Sequence, residues 1–182
     1  MAKFFPALTP AHRTFIEAQK LHFVASAPDH GRVNLSPKGM DTFRVLTPSK
    51  VGYLDGTGSG NETAAHLAQN GRITLMFCSF EQAPLILRIY GRARAVRPHD
   101  ADWSQYRPLF GPPLPGERQL IITDVESVQT SCGFAVPFYT YEGERTQLRD
   151  WAERKGPAAV AAYRAEHNRV SIDGLPTGLI PE

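Results

Sequence analysis

YLDGTGSGNETAAHLAQNGR, residues 53–72, carries a short apolar strand into a loop of glycine, serine and threonine and then into a helix. Glycines at 56, 58 and 60 let the backbone come close to a ligand. Ser59, Asn61 and Thr63 add side chains that hydrogen-bond, and the helix start offers unpaired N–H groups at the positive end of its dipole. This is a recipe for holding a phosphate. Three familiar motifs fail on spacing. No two of Gly52, Gly56, Gly58 and Gly60 stand five apart, and no lysine lies between Asp55 and Arg72, which excludes a triphosphate-binding P-loop. The glycines run Gly-x-Gly-x-Gly rather than Gly-x-Gly-x-x-Gly and lack a βαβ setting, against a dinucleotide site. Ser59 has glycines one residue away on each side, where a nucleophile elbow needs them at two. A ligand-free surface loop is the plain alternative.

Working outward, Thr9-Pro10 starts a helix that runs to about residue 20, with Thr9 as cap and Pro10 in the first turn. LHFVASA (21–27) alternates as a strand, with Leu21, Phe23 and Ala25 on one side. Pro28-Asp29-His30-Gly31 is a turn, and RVNLS (32–36) returns as a second strand, interrupted at Pro37-Lys38-Gly39. TFRVL (42–46) and VGYL (51–54) are further strands. The helix after the glycine loop spans Glu62–Gln69 and stops at Asn70-Gly71. ITLMFCSF (73–80) is apolar enough to be a strand covered on both faces. LILRIYGRARAV (85–96) alternates cleanly, with Arg88, Tyr90, Arg92 and Arg94 on one face. A short helix at 100–107, an exposed proline-rich loop at 108–116 and a strand at 120–130 come next. The last third is helical: residues 144–155 closed by Gly156, then Pro157 to about His167 capped by Asn168, with an irregular tail. Strands joined by short turns predict a mainly β fold, an antiparallel barrel with flanking helices. The expectation is a single domain over residues 1–182 with a helical extension from about 144.

With 182 residues, 42% hydrophobic, 21% charged and a net charge of +2, the chain has no global nucleic-acid or membrane footprint. MAKFFPALTP lacks the apolar core of a signal peptide and no apolar run reaches the ~20 residues of a membrane span, so the expectation is a cytoplasmic protein. Cys78 and Cys132 read as free, buried thiols. The six histidines are dispersed without ligand spacing, predicting surface or capping roles and no metal. The arginine face of 85–96 suits phosphate or carboxylate, or else is simply a solvated face.

VNLSPKGMDTFRVL, YLDGTGSGNETAAHLAQNGRITLMFCSF and LILRIYGRARAV together resemble, in order and spacing, the pyridoxamine 5'-phosphate oxidase-like family of FMN-binding split barrels. Ser131–Pro137 and Asn168–Gly178 look like a mostly uncharacterised subgroup. The resemblance implies a barrel that dimerises with two FMN molecules at the subunit interface. It places FMN against Asn34, Ser36 and Lys38, against Leu54 and Asp55, and with its phosphate at Ser59, Asn61 and Thr63. Biosynthetic members carry an Arg-Lys pair at that helix start, where this chain has Glu62-Thr63. Compensating charge is then expected from Lys38, Arg44 or Arg88, or from the partner subunit. The C-terminal segment does not match the substrate motif of the true oxidases, which leaves vitamin B6 oxidation without support. The implied function is a flavin-dependent oxidoreductase on a small molecule, with no catalytic residue assigned. The alternative is a non-catalytic flavin or ligand carrier. Haem is disfavoured for want of a histidine in a ligand context, His66 being the first to check.

Overall fold

The computed structural model describes residues 2–180. In chain order they form β1 (Lys3–Phe5), α1 (Pro10–Ala18), β2 (His22–Ser26), β3 (Asn34–Lys38), β4 (Phe43–Thr47), β5 (Lys50–Gly56), α2 (Glu62–Asn70), β6 (Arg72–Cys78), β7 (Ile86–Val96), α3 (Trp103–Tyr106), a 3-10 turn (Arg107–Phe110), β8 (Glu117–Ser131) and α4 (Gln147–His167). The strands make one antiparallel sheet in the order β3-β2-β6-β7-β8-β5-β4, with β1 on β8. Its two end strands, β3 and β4, are neighbours in sequence yet do not pair with each other. That unpaired seam is the split of a split barrel. Residues 39–42 turn the chain across it, with Met40 and Asp41 both at positive φ (62° and 50°), a conformation that costs non-glycine residues energy.

Alternation sets the inside. Val24, Leu75, Leu87, Ile89, Ile121 and Val128 bury fully around Val51 and Tyr53, with α1 and α2 adding Ile16 and Leu67. A second cluster of Leu54, Val96, Leu120, Ile122 and Phe110 fills the other end. Gly91 is required: a Cβ there would sit 2.1 Å from the Asp124 carbonyl oxygen, where β8 shifts register between Tyr90 and Gly91.

Several expectations change. In β2 the buried side is His22, Val24 and Ser26, with Phe23 and Ala25 on the half-buried side. β3 runs through Pro37 instead of stopping there, because an edge strand loses no ladder bond to a missing N–H. β6 alternates, with Thr74 and Met76 only half-buried, so one face alone is fully covered. The helix near residue 103 is a single turn, and the proline-rich segment opens with a 3-10 turn that buries Phe110. β1 was not expected. α4 breaks at Gly156 (φ 72°, ψ 164°) before Pro157, so its two halves match the two helices read from the sequence, and Asn168 caps the second. Cys78 is buried, but Cys132 is exposed. His12 caps α1 through a reciprocal pair of bonds with Thr9. His22 and His66 are neither surface nor capping residues: both are buried. Among the described residues no cluster of histidine, cysteine or carboxylate side chains is placed to hold a metal ion, and no helix is long and apolar enough to cross a membrane.

A candidate anion-binding cleft at the barrel seam

The seam opens into a cleft of about 340 Å³ walled by β3, the end of β5, the glycine loop and the first turn of α2. Asn34, Ser36, Lys38, Leu54, Asp55, Ser59, Asn61 and Thr63 all line it. Period-two geometry explains the β3 set, since alternate residues of one strand share a face. Two of these β3 side chains link up: Ser36 Oγ donates to Asn34 Oδ1 (3.2 Å), and Asn34 Nδ2 donates across to Thr63 Oγ1 (3.3 Å).

Asp55 is the buried centre of the cleft. Lys38 Nζ reaches its Oδ1 from across the seam at 2.9 Å, and Arg118 Nε meets its Oδ2 at 2.9 Å. Gln119 Nε2 donates to the same Oδ2 at 2.9 Å. Burial alone would raise the Asp55 carboxyl, but Lys38 and Arg118 outweigh it and hold the group far below the ordinary carboxylate range. Two cations therefore meet the one buried carboxylate, while the second carboxylate of the lining, Glu62, stands at the start of α2. Arg118 is itself buried and donates to Asn168 Oδ1 (2.8 Å), whose Nδ2 donates to the Gly58 carbonyl (3.1 Å). The C-terminal end of α4 thereby braces the glycine loop.

This network fixes the orientation of Asn61. A carboxylate only accepts, so Gln119 must present its NH2 to Asp55. The same NH2 donates to Asn61 Oδ1 at 2.7 Å, so Asn61 offers its oxygen there and its Nδ2 is left over. That Nδ2 is buried without a partner among the described residues. Asn61 is also the cap position of α2 and makes no side-chain bond to the helix, so the first-turn N–H groups receive no help from it. A buried donor of this kind is costly unless something accepts from it. Glu62 also lines the cleft, and both its carboxylate oxygens accept from the Ile172 N–H (3.1 and 3.0 Å), which turns them toward the C-terminal segment.

Two sequence candidates fall elsewhere. Arg44 is held by Asp41 and by the Phe43 carbonyl and lines a different cavity. Arg88 stands on the outer face of β7 against Ser131 Oγ (3.4 Å). Further along that face Arg92 pairs with Glu126 and Arg94 with Asp102. Arg118, Gln119 and Asn168 were missed. The signal for Arg118 was available: a buried Asp55 needs a buried cation, and Arg118-Gln119 directly precede the apolar run that pairs with β5.

The profile of the pyridoxamine 5'-phosphate oxidase family matches residues 8–132. The chain belongs to that family. It is 40% identical to the Pyridoxamine 5'-phosphate oxidase family protein ustO of Aspergillus flavus, over 97% of this chain and 78% of that one. Among solved structures it resembles a variant of HupZ from Group A Streptococcus (TM-score 0.57, 20% identity, 68% of this chain and 98% of that one). It also resembles a candidate pyridoxamine 5'-phosphate oxidase from Lactobacillus delbrueckii (TM-score 0.53, 20% identity, 68% and 94%). At such identities the structures speak for the split-barrel fold alone.

Proposed function

We propose that this member of the pyridoxamine 5'-phosphate oxidase family binds FMN in the seam cleft and acts as a flavin-dependent oxidoreductase on a small molecule. The observation that carries the reading is the unpartnered Asn61 amide at the start of α2, beside the two cations gathered at Asp55. Asn61 Nδ2 and the first-turn N–H groups of α2 would hold the phosphate, with the glycine loop giving close approach. At Gly58 a Cβ would meet nothing within 4 Å, so the loop leaves that space open. Lys38 and Arg118 would supply the compensating charge, in place of the Arg-Lys pair of the biosynthetic members. Asn34, Ser36 and Leu54 would line the rest. When bound, the flavin supplies the two-electron chemistry, and the protein supplies position and electrostatics.

The chain's own contribution is orientation. The Asp55 carboxylate stays ionised and paired with Lys38 and Arg118, so it holds donors in place and moves no proton near neutrality. That same feature favours a second reading, a flavin carrier without turnover, because the buried acid of the cleft, Asp55, is held in this ion pair. A homodimer is part of the proposal: β3 is an edge strand beside the cleft, and Leu35 on it and Val33 just before it are exposed.

The test is to incubate the purified chain with FMN, dialyse, and record the visible spectrum. Retained flavin absorbance supports the reading, and a colourless protein overturns it. Sustained NAD(P)H or amine consumption by the yellow protein then selects the enzyme over the carrier.

A further inference from the structure

A second cavity, of about 250 Å³, opens beneath the turn that carries the chain across the seam. It touches the seam cleft only at Gly39 and Thr42, which line both. Its floor is aromatic. The His22 ring stacks on Phe77 (5.4 Å between centroids) and meets Phe43 edge-on at 5.0 Å, while Phe43 meets Phe77 edge-on at 4.9 Å. All three rings line the cavity, with Ile16, Leu21 and Val45 beside them.

One atom of this floor is unexplained by folding. His22 is 3% exposed, lies in the cavity wall, and its Nε2 has no hydrogen-bond partner among the described residues. An orphan nitrogen in an aromatic cluster costs stability that phenylalanine at the same place would not. Burial, reinforced by the Lys38 charge, pushes the imidazole down to about 3, so it is neutral, with one ring nitrogen a donor and the other an acceptor.

The rim is cationic. Arg13 is paired with Glu17 and Arg44 with Asp41. Lys20 has no carboxylate partner among the described residues; its ammonium lies 5.8 Å from the Tyr141 ring. Glu144 reaches the same turn, accepting from the Met40 N–H (3.1 Å). Lys20 is thus the rim cation without a salt bridge of its own among the described residues, above an aromatic floor that carries the His22 imidazole.

We propose that this cavity is a binding site for a small aromatic carboxylate, its ring against Phe43 and Phe77 and its carboxylate between the His22 imidazole and the Lys20 ammonium. The volume, just below the ~300 Å³ at which ordinary ligand pockets begin, selects a single-ring molecule. The site stands whether or not the neighbouring cleft holds a flavin.

Benzoate is the probe, titrated into the full chain by calorimetry and by NMR of the histidine rings, with benzyl alcohol and benzylammonium as controls. Saturable benzoate binding that shifts the His22 ring resonances, with weaker benzyl alcohol and no benzylammonium binding, is the expected result. Lys20→Gln, at an exposed rim position, is expected to weaken benzoate several-fold and leave benzyl alcohol unchanged. His22→Phe is expected to fold and to lose benzoate; should it fail to fold, the Lys20 comparison decides alone. Absence of saturable benzoate binding, binding that leaves the His22 resonances unmoved, or equal benzoate affinity in Lys20→Gln overturns the proposal.

Discussion

Asp55 and Arg118 are each buried and depend on one another, which makes them the sensitive pair of the molecule. Removing one partner strands the other's charge, so Arg118→Met is expected to cost about 3–5 kcal/mol in chemical denaturation. Asp55 has its carboxyl lowered in the folded state, so its contribution is present above the unfolded carboxylate range of about 3.9 and is lost as pH falls through the lowered value. His22 acts in a higher window. Its folded value is about 3 against 6.5 when free, so between those pH values the unfolded chain binds a proton that the folded chain refuses. Stability therefore falls as pH drops from 6.5 toward 3. His22→Phe removes this contribution, and its stability is expected to decline less than that of the unchanged protein between about pH 6.5 and 4, measured by denaturant midpoints.

At the scale of elements, β7 and β8 dominate the sheet, and their register depends on Gly91. A methyl group there meets backbone that cannot move aside, so Gly91→Ala is expected to destabilise by about 2–3 kcal/mol or more, read as a lowered melting temperature. Most elements were legible because their signals are local: Thr9-Pro10 for α1, Gly71 after α2, the alternation in β7, Gly156-Pro157 inside α4. What was not legible depends on neighbours. Pro37 stops a central strand but not an edge strand, and edge position is a property of the whole sheet. His22 and His66 took core places because the phase of β2 and the packing of α2 decide burial, and neither can be read from the residue type.

Across the whole molecule, the seam between β3 and β4 gathers residues distant in sequence into one cleft. The strand around Asn34–Lys38 and the loop around Ser59–Thr63 were readable together through their resemblance to the family. Arg118 and Asn168 were hidden, because their role arises only when β8 pairs with β5 and the end of α4 folds onto the glycine loop. Arg44 and Arg88 had the right chemistry for a phosphate, but β4 and the outer face of β7 carry them elsewhere. If the Asn61 amide is the phosphate donor, Asn61→Leu is expected to weaken FMN binding about tenfold or more, one charge-assisted hydrogen bond being worth roughly 1.5–3 kcal/mol. The most direct measurement compares the affinities of FMN and riboflavin for the unchanged chain by quenching of flavin fluorescence. FMN is expected to bind far more tightly than riboflavin, and Asn61→Leu to narrow the gap. Equal affinity for the two, or binding of neither, would contradict a phosphate site at the start of α2.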